Sequence, residues 1–143
     1  MRKTMINETS RFKVYELKDF IKSKKYVFYK EETYFKNWDI KKKSELIESL
    51  LLNIPIPMIK LSEYEYSKYE ILDGREIVKT ILEFLSDDFK LEGLKYLKEL
   101  NGLTYFSLPE REKDYIYLKN ISCINILDAD KDLTEEIFER YHQ

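Results

Sequence analysis

The sequence predicts one α+β domain, and three observations carry that prediction. Some segments space their apolar residues three and four apart, as a helix does, while others hold them in short strand-like runs. With 143 residues, of which 43% are hydrophobic, the chain is long and apolar enough for one real core. No internal repeat, low-complexity tract or clear linker divides it, so the two kinds of segment belong to one unit with a small sheet and flanking helices.

In chain order, residues 1–13 are polar and are expected to form a flexible N-terminal segment, with the domain spanning 14–143. Val14, Leu17, Phe20 and Ile21 have the spacing of a short helix, and Tyr26 to Tyr29 is strand-like. Glu31 to Trp38 reads as a loop anchored by Tyr34, Phe35 and Trp38, the last a core or lid packing residue. Asp39 is a good N-cap for a helix over 40–52, with Leu46, Ile47, Leu50 and Leu51 buried and Glu45 and Glu48 facing water. Lys41 to Lys43 reads as a solvated helix start. Pro55 and Pro57 force an extended path that leads into a strand over 58–61. A polar loop over 62–68 and an antiparallel return strand over 69–72 follow.

The stretch from Ile71 to Ile81 is the pivot of the chain. The strand turns at Asp73-Gly74 and leaves as a helix with Ile77, Val78, Ile81, Leu82 and Leu85 on one face. Asp73 can cap that helix, and Gly74 allows a sharp bend or a close backbone approach to a ligand. A strand-to-helix turn also gathers unpaired amides, a seat for phosphate. Taken alone, Asp-Gly at such a place favours a structural turn over a phosphate site, since single motifs misfire often.

Beyond the pivot, Phe89 and Leu91 suit a short extended piece, and Leu94, Leu97 and Leu100 a short helix stopped by Asn101-Gly102. Residues 104–108 are expected to be extended. Pro109 opens a helix to about Lys119, residues 121–127 form a buried strand, and a last helix over 133–141 turns Ile137, Phe138 and Tyr141 inward. The acids Asp128, Asp130, Asp132 and Glu135 have the opening spacing of a calcium loop. The sharp-turn Gly is missing and Glu139, the twelfth residue, falls inside the helix, so a helix-capping turn is the better reading.

Composition narrows the function. The 25 basic and 27 acidic residues leave a net charge of -2, with no global pull toward nucleic acid or membrane, and direct DNA contact has no support in it. A single Cys123 in an apolar run is a buried core thiol, with no disulfide and no Cys-rich metal site. A lone His142 rules out a His-rich zinc site and argues against a Ser-His-Asp triad. There is no signal-peptide pattern and no apolar run near 18 residues, which points to a cytoplasmic protein.

Several segments together resemble one family. The run from Trp38-Asp39 through Ile54-Pro55-Ile56-Pro57 resembles the start of the GmrSD-type N-terminal domain, the ParB-like module of bacterial restriction systems that attack modified DNA. Asp73-Gly74 looks like the start of its D-G-Q-Q-R signature. Leu91 to Leu97, Leu100-Asn101-Gly102 and Leu108-Pro109 match its middle, and Phe138-Glu139-Arg140 its closing F-x-R motif. The resemblance covers about Val14 to Gln143. It implies a ParB/sulfiredoxin-like fold and a site for a nucleoside triphosphate with Mg2+, in which Asp73, Gly74, Arg75, Glu76 and Arg140 would bind nucleotide. Asp73 would position metal or water, and Arg75 would supply charge for catalysis. It also implies a larger restriction protein as partner, DNA cleavage usually lying in a separate HNH domain that one His cannot furnish.

The chain departs from that pattern in stated places. Arg75 and Glu76 stand where the family has two Gln, and Ile77 stands where it has Arg. Ile77 cannot neutralise phosphate charge, and Arg75 sits about 200° away around the helix. Tyr34 replaces an Arg before the Trp, and His142 an Asn after F-x-R-x. The family continues with a Gly-Gly turn and further helices beyond Gln143, so a degenerate copy, a natural stub or one domain of a longer chain are all open. These departures favour a non-catalytic binding or regulatory relative over an active NTP-hydrolysing module. Apolar surface left by missing helices would drive a homodimer.

Overall fold

The computed structural model describes residues 5–30 and 37–141. Most of the expected loop over 31–38, with its anchors Tyr34 and Phe35, lies outside the described residues, as does His142. The architecture is α+β, as the sequence predicts. Five strands form one mixed sheet in the order β1-β5-β3-β4-β2: β1 (Asn7–Lys13), β2 (Tyr26–Phe28), β3 (Ile59–Glu65), β4 (Lys68–Asp73) and β5 (Asn120–Ile126). β1 pairs antiparallel with β5 and β3 antiparallel with β4, while β5–β3 and β4–β2 are parallel.

Side chains alternate across the sheet. Ile71, Ile121 and Cys123 join the main core with Ile59 and Leu61, while Leu72 and Ile126 face a smaller cluster on the other side. The main core is roofed by α1 (Leu17–Lys22), α2 (Ile40–Leu52), α3 (Arg75–Leu85) and α4 (Glu110–Tyr117). α5 (Lys131–Tyr141) closes the opposite face through Leu133 and Ile137. Asp39 caps α2 as expected, accepting from Lys42 N–H at 2.9 Å. Asp130 caps the start of α5, accepting from Leu133 N–H at 2.9 Å, and Asp132 lies in its first turn.

The structure corrects several expectations. Residues 7–13 are not loose: they form β1, because Phe12 is buried and the strand completes the ladder beside β5. β3 runs on to Glu65, so the predicted loop shrinks to a tight turn at Tyr66-Ser67, with Ser67 at φ 60°. The leucines near 94–100 do not make a full helix. Only a short 3-10 turn forms, Lys98–Leu100, because Gly93 adopts φ +73° and Asn101 Oδ1 caps Leu94 N–H at 2.9 Å. Residues 104–108 fold into a turn closed by Thr104 and Ser107 rather than an extended piece.

Glu48 is the largest correction. It is only 7% exposed, and its carboxylate accepts from Lys95, Tyr96 and Leu97 N–H at 3.3, 2.9 and 2.9 Å. One turn earlier, Ser44 Oγ accepts from Glu92 N–H at 3.0 Å. The i, i+4 pair therefore pins the 92–97 loop onto α2, and burial is offset by ready-made donors. Lys43 is likewise not solvated; its ammonium sits 2.8 Å from Glu83 and ties α2 to α3. Tyr141 is 51% exposed rather than inward.

Candidate functional site

The pivot forms where expected. β4 ends at Asp73, Gly74 is the N-cap of α3, and the helix buries Ile77, Val78 and Ile81, with Phe84 added to the expected stripe. Gly74 is required by geometry. Its φ is +100°, and a Cβ there would lie 2.9 Å from Ile59 Cγ1. The turn is wedged against β3, so the close approach is to the protein's own sheet.

Asp73 does not cap the helix. Gly74 has no side chain to do so, and Asp73 turns instead to Lys60, with Oδ2 3.1 Å from Nζ. The two residues face each other across the β3–β4 ladder, which explains the choice. Lys60 also lies over the Tyr141 ring, 4.2 Å from its centroid.

A cleft of about 360 Å3 opens beside the turn. Asp73, Gly74 and Glu76 line it together, with Ile77 at its base. α2 supplies Lys42, Glu45, Leu46 and Ser49, and the Pro55–Pro57 segment closes one wall. Trp38 flanks the cleft and packs partly against the core, as the sequence led us to expect of it. Lys42 Nζ lies 5.4 Å from the centre of the Trp38 ring. The α2 residues were missed by motif reasoning. Their spacing at 42, 45, 46 and 49 marks one helical face and is the signal that finds them.

The charges in this cleft are mostly negative. Among the described residues, Glu45, Asp73 and Glu76 line it with Lys42, and Asp73 is already paired with Lys60, which leaves two carboxylates against one ammonium. Glu76 lies in the first turn of α3, where it offsets the positive end of the helix dipole. Among the described residues, no three His, Cys, Asp or Glu side chains group so as to hold a metal ion.

The two predicted arginines are elsewhere. Arg75 is 5% exposed and packs into the core, its guanidinium 4.9 Å from the Phe28 ring centre. Arg140 is on α5, paired with Glu136 at 2.9 Å, and lines a different cavity of about 400 Å3 with Lys60 and Tyr141. Of the five expected site residues, the structure brings Asp73, Gly74 and Glu76 together and leaves Arg75 and Arg140 apart from them.

Cys123 is fully buried and unpaired by disulfide, as predicted. Burial pushes its thiol up to about 12, against a lowering hydrogen bond with Tyr26. It is a packing group rather than a nucleophile. Burial also raises Tyr29, with Glu135 as its hydrogen-bond partner, and raises Glu70. No helix among the described residues is long and apolar enough to cross a membrane.

No curated protein and no solved structure was found to match the chain. A family model does: that of the GmrSD restriction endonuclease N-terminal domain, over residues 17–143. The matched span runs from the first residue of α1 through the pivot and α5, so the Asp73-Gly74 turn and its cleft lie inside it, and the chain belongs to the GmrSD restriction endonuclease N-terminal domain family.

Proposed function

We propose that this domain acts as a non-catalytic binding or regulatory module in the restriction of foreign or modified DNA. The observation that carries the reading is the placement of charge. Phosphoryl transfer needs cations aimed at the transferred group. Among the described residues, the cleft beside Gly74 offers Lys42 against Glu45 and Glu76, Asp73 being paired with Lys60, and Arg75 packs on Phe28 in the core. Among the described residues, one ammonium is too little positive charge for the three phosphates of a nucleotide, which weighs against a triphosphate in this cleft. The partner in this reading is a larger restriction protein, and the compartment is the bacterial cytoplasm.

The competing reading, an active nucleotide-binding module, draws on one fact: a cleft does lie against the first turn of α3, where amides lack intrahelical partners. Thermal denaturation of the purified chain with ATP, GTP and Mg2+, together with a phosphate-release assay, separates the two. We expect no shift and no turnover. A saturable rise in Tm lost in Asp73→Ala, with NTP hydrolysis, would replace our reading with the active one.

A further inference from the structure

β5 lies inside the sheet, yet its first residues have a neighbouring strand on one side only. β1 covers Asn120 through its pairing with Lys13, whereas β3 begins at Ile59, opposite Cys123. The phase of the β1–β5 ladder fixes what this leaves. Val14 N–H donates to Lys119 C=O and Leu127 N–H to Ile6 C=O, each at 2.9 Å. Paired residues exchange backbone bonds at every second position, so odd-numbered β5 residues address β1. Asn120 and Ser122 turn their backbone groups the other way. Among the described residues, neither Asn120 nor the Ser122 N–H finds a backbone partner there. The chain opposite is the 54–58 segment, and its Pro55 and Pro57 have no N–H to offer.

Between these two segments and α4 lies the largest cavity described, about 770 Å3. Leu50, Ile56, Met58 and Ile121 form its apolar walls. Ile54 and Leu118, 48% and 56% exposed, stand at its mouth. Arg111 and Asp114 both line it but form no ion pair among the described residues, and with Lys119, held by Asn53 and Tyr115, the lining carries two positive groups to one negative.

We propose that this groove receives an extended apolar peptide of a partner protein as an added strand beside Asn120–Ser122, with an acidic residue of that peptide set against Arg111. Unpaired main-chain groups select an extended backbone. The apolar walls select alternate β-branched or aromatic side chains, and the spare guanidinium selects a carboxylate. Pro55 and Ile56 also wall the Gly74 cleft, but nothing in this proposal needs a nucleotide or its absence.

The probe is a random heptapeptide display library panned against the full chain, with selected peptides remade synthetically and titrated by fluorescence anisotropy and 15N amide shifts. We expect alternating apolar sequences carrying one Asp or Glu, and saturable shifts at the Asn120 and Ser122 amides. Leu118→Glu and Ile54→Asp, both at exposed positions, should weaken binding at least tenfold, as should N-methylation of alternate peptide amides. Arg111→Gln should weaken it several-fold. Binding indifferent to N-methylation, selected peptides that leave Asn120 and Ser122 unmoved, or occupation of the groove by a second copy of the chain would each overturn the proposal.

Discussion

Removing the Glu48 carboxylate is the sharpest test of how this domain is held together. Glu48→Ala takes the acceptor from three amides, two at 2.9 Å and one at 3.3 Å. Each good bond to a charged group contributes about 1.5–3 kcal/mol net, and the long one far less. Tyr96 is 75% exposed, so water re-enters the opened loop and recovers part of that loss. The expected cost is about 3 kcal/mol for Glu48→Ala and roughly half that for Glu48→Gln, which keeps one oxygen. With an m-value of about 2 kcal/mol/M in urea, the Ala variant should shift the midpoint by about 1.5 M. The pH dependence has a definite sign. Burial alone would raise the Glu48 pKa, but the bonds from Leu97, Tyr96 and Lys95 outweigh it and hold the value down. Its stabilisation is therefore present above the unfolded carboxyl pKa, about 4.3. It is lost as pH falls through the lower folded value. The assay is urea unfolding of wild type and both variants from pH 7 down to pH 3, with amide exchange at residues 95–97. A Glu48→Ala change under about 0.5 kcal/mol, or a wild-type advantage that grows on acidification, would refute the reasoning.

Three other outcomes follow from the same structure. Gly74→Ala should cost about 2 kcal/mol in urea unfolding, since φ +100° is strained for Ala and the Cβ meets Ile59 Cγ1 at 2.9 Å; an unchanged midpoint would show that the turn is free to relax. Cys123 should resist DTNB (a thiol-reactive dye) in the folded state and react at once in concentrated urea, because it is buried and its thiol is pushed up to about 12. Prompt labelling at neutral pH without denaturant would contradict that. The chain is expected to dimerise at high concentration, as light scattering reads it, and to do so equally in Leu118→Glu; a monomer throughout removes the homodimer.

Much of the fold was legible because its signals are local. The α2 limits follow from Asp39 and from Asn53, which stops the helix at φ 59°. The β3–β4 hairpin and the strand-turn-helix pivot follow from apolar runs and one glycine. What was hidden is non-local. Nothing in 7–13 announces that β5, more than a hundred residues on, will pair with it. Glu48 has a surface residue's chemistry, and only the amides of 95–97 make its burial tolerable. At the candidate site, the Asp73-Gly74 turn was readable as a motif. The destinations of Arg75 and Asp73 were not, since Phe28 and Lys60 reach them through the tertiary fold.

The pairing of β1 with β5 sets an order of events during synthesis. β1 leaves the ribosome before β5 and must wait for residues 120–126 before it can dock. Until then Phe12 has Phe20 and Tyr26 to pack on but no neighbouring strand, and the edge of the nascent sheet is open, a slow step of high contact order. Chains released before residue 120 should collect as aggregates or be degraded, while chains extended past residue 126 should gain protease resistance abruptly rather than by degrees.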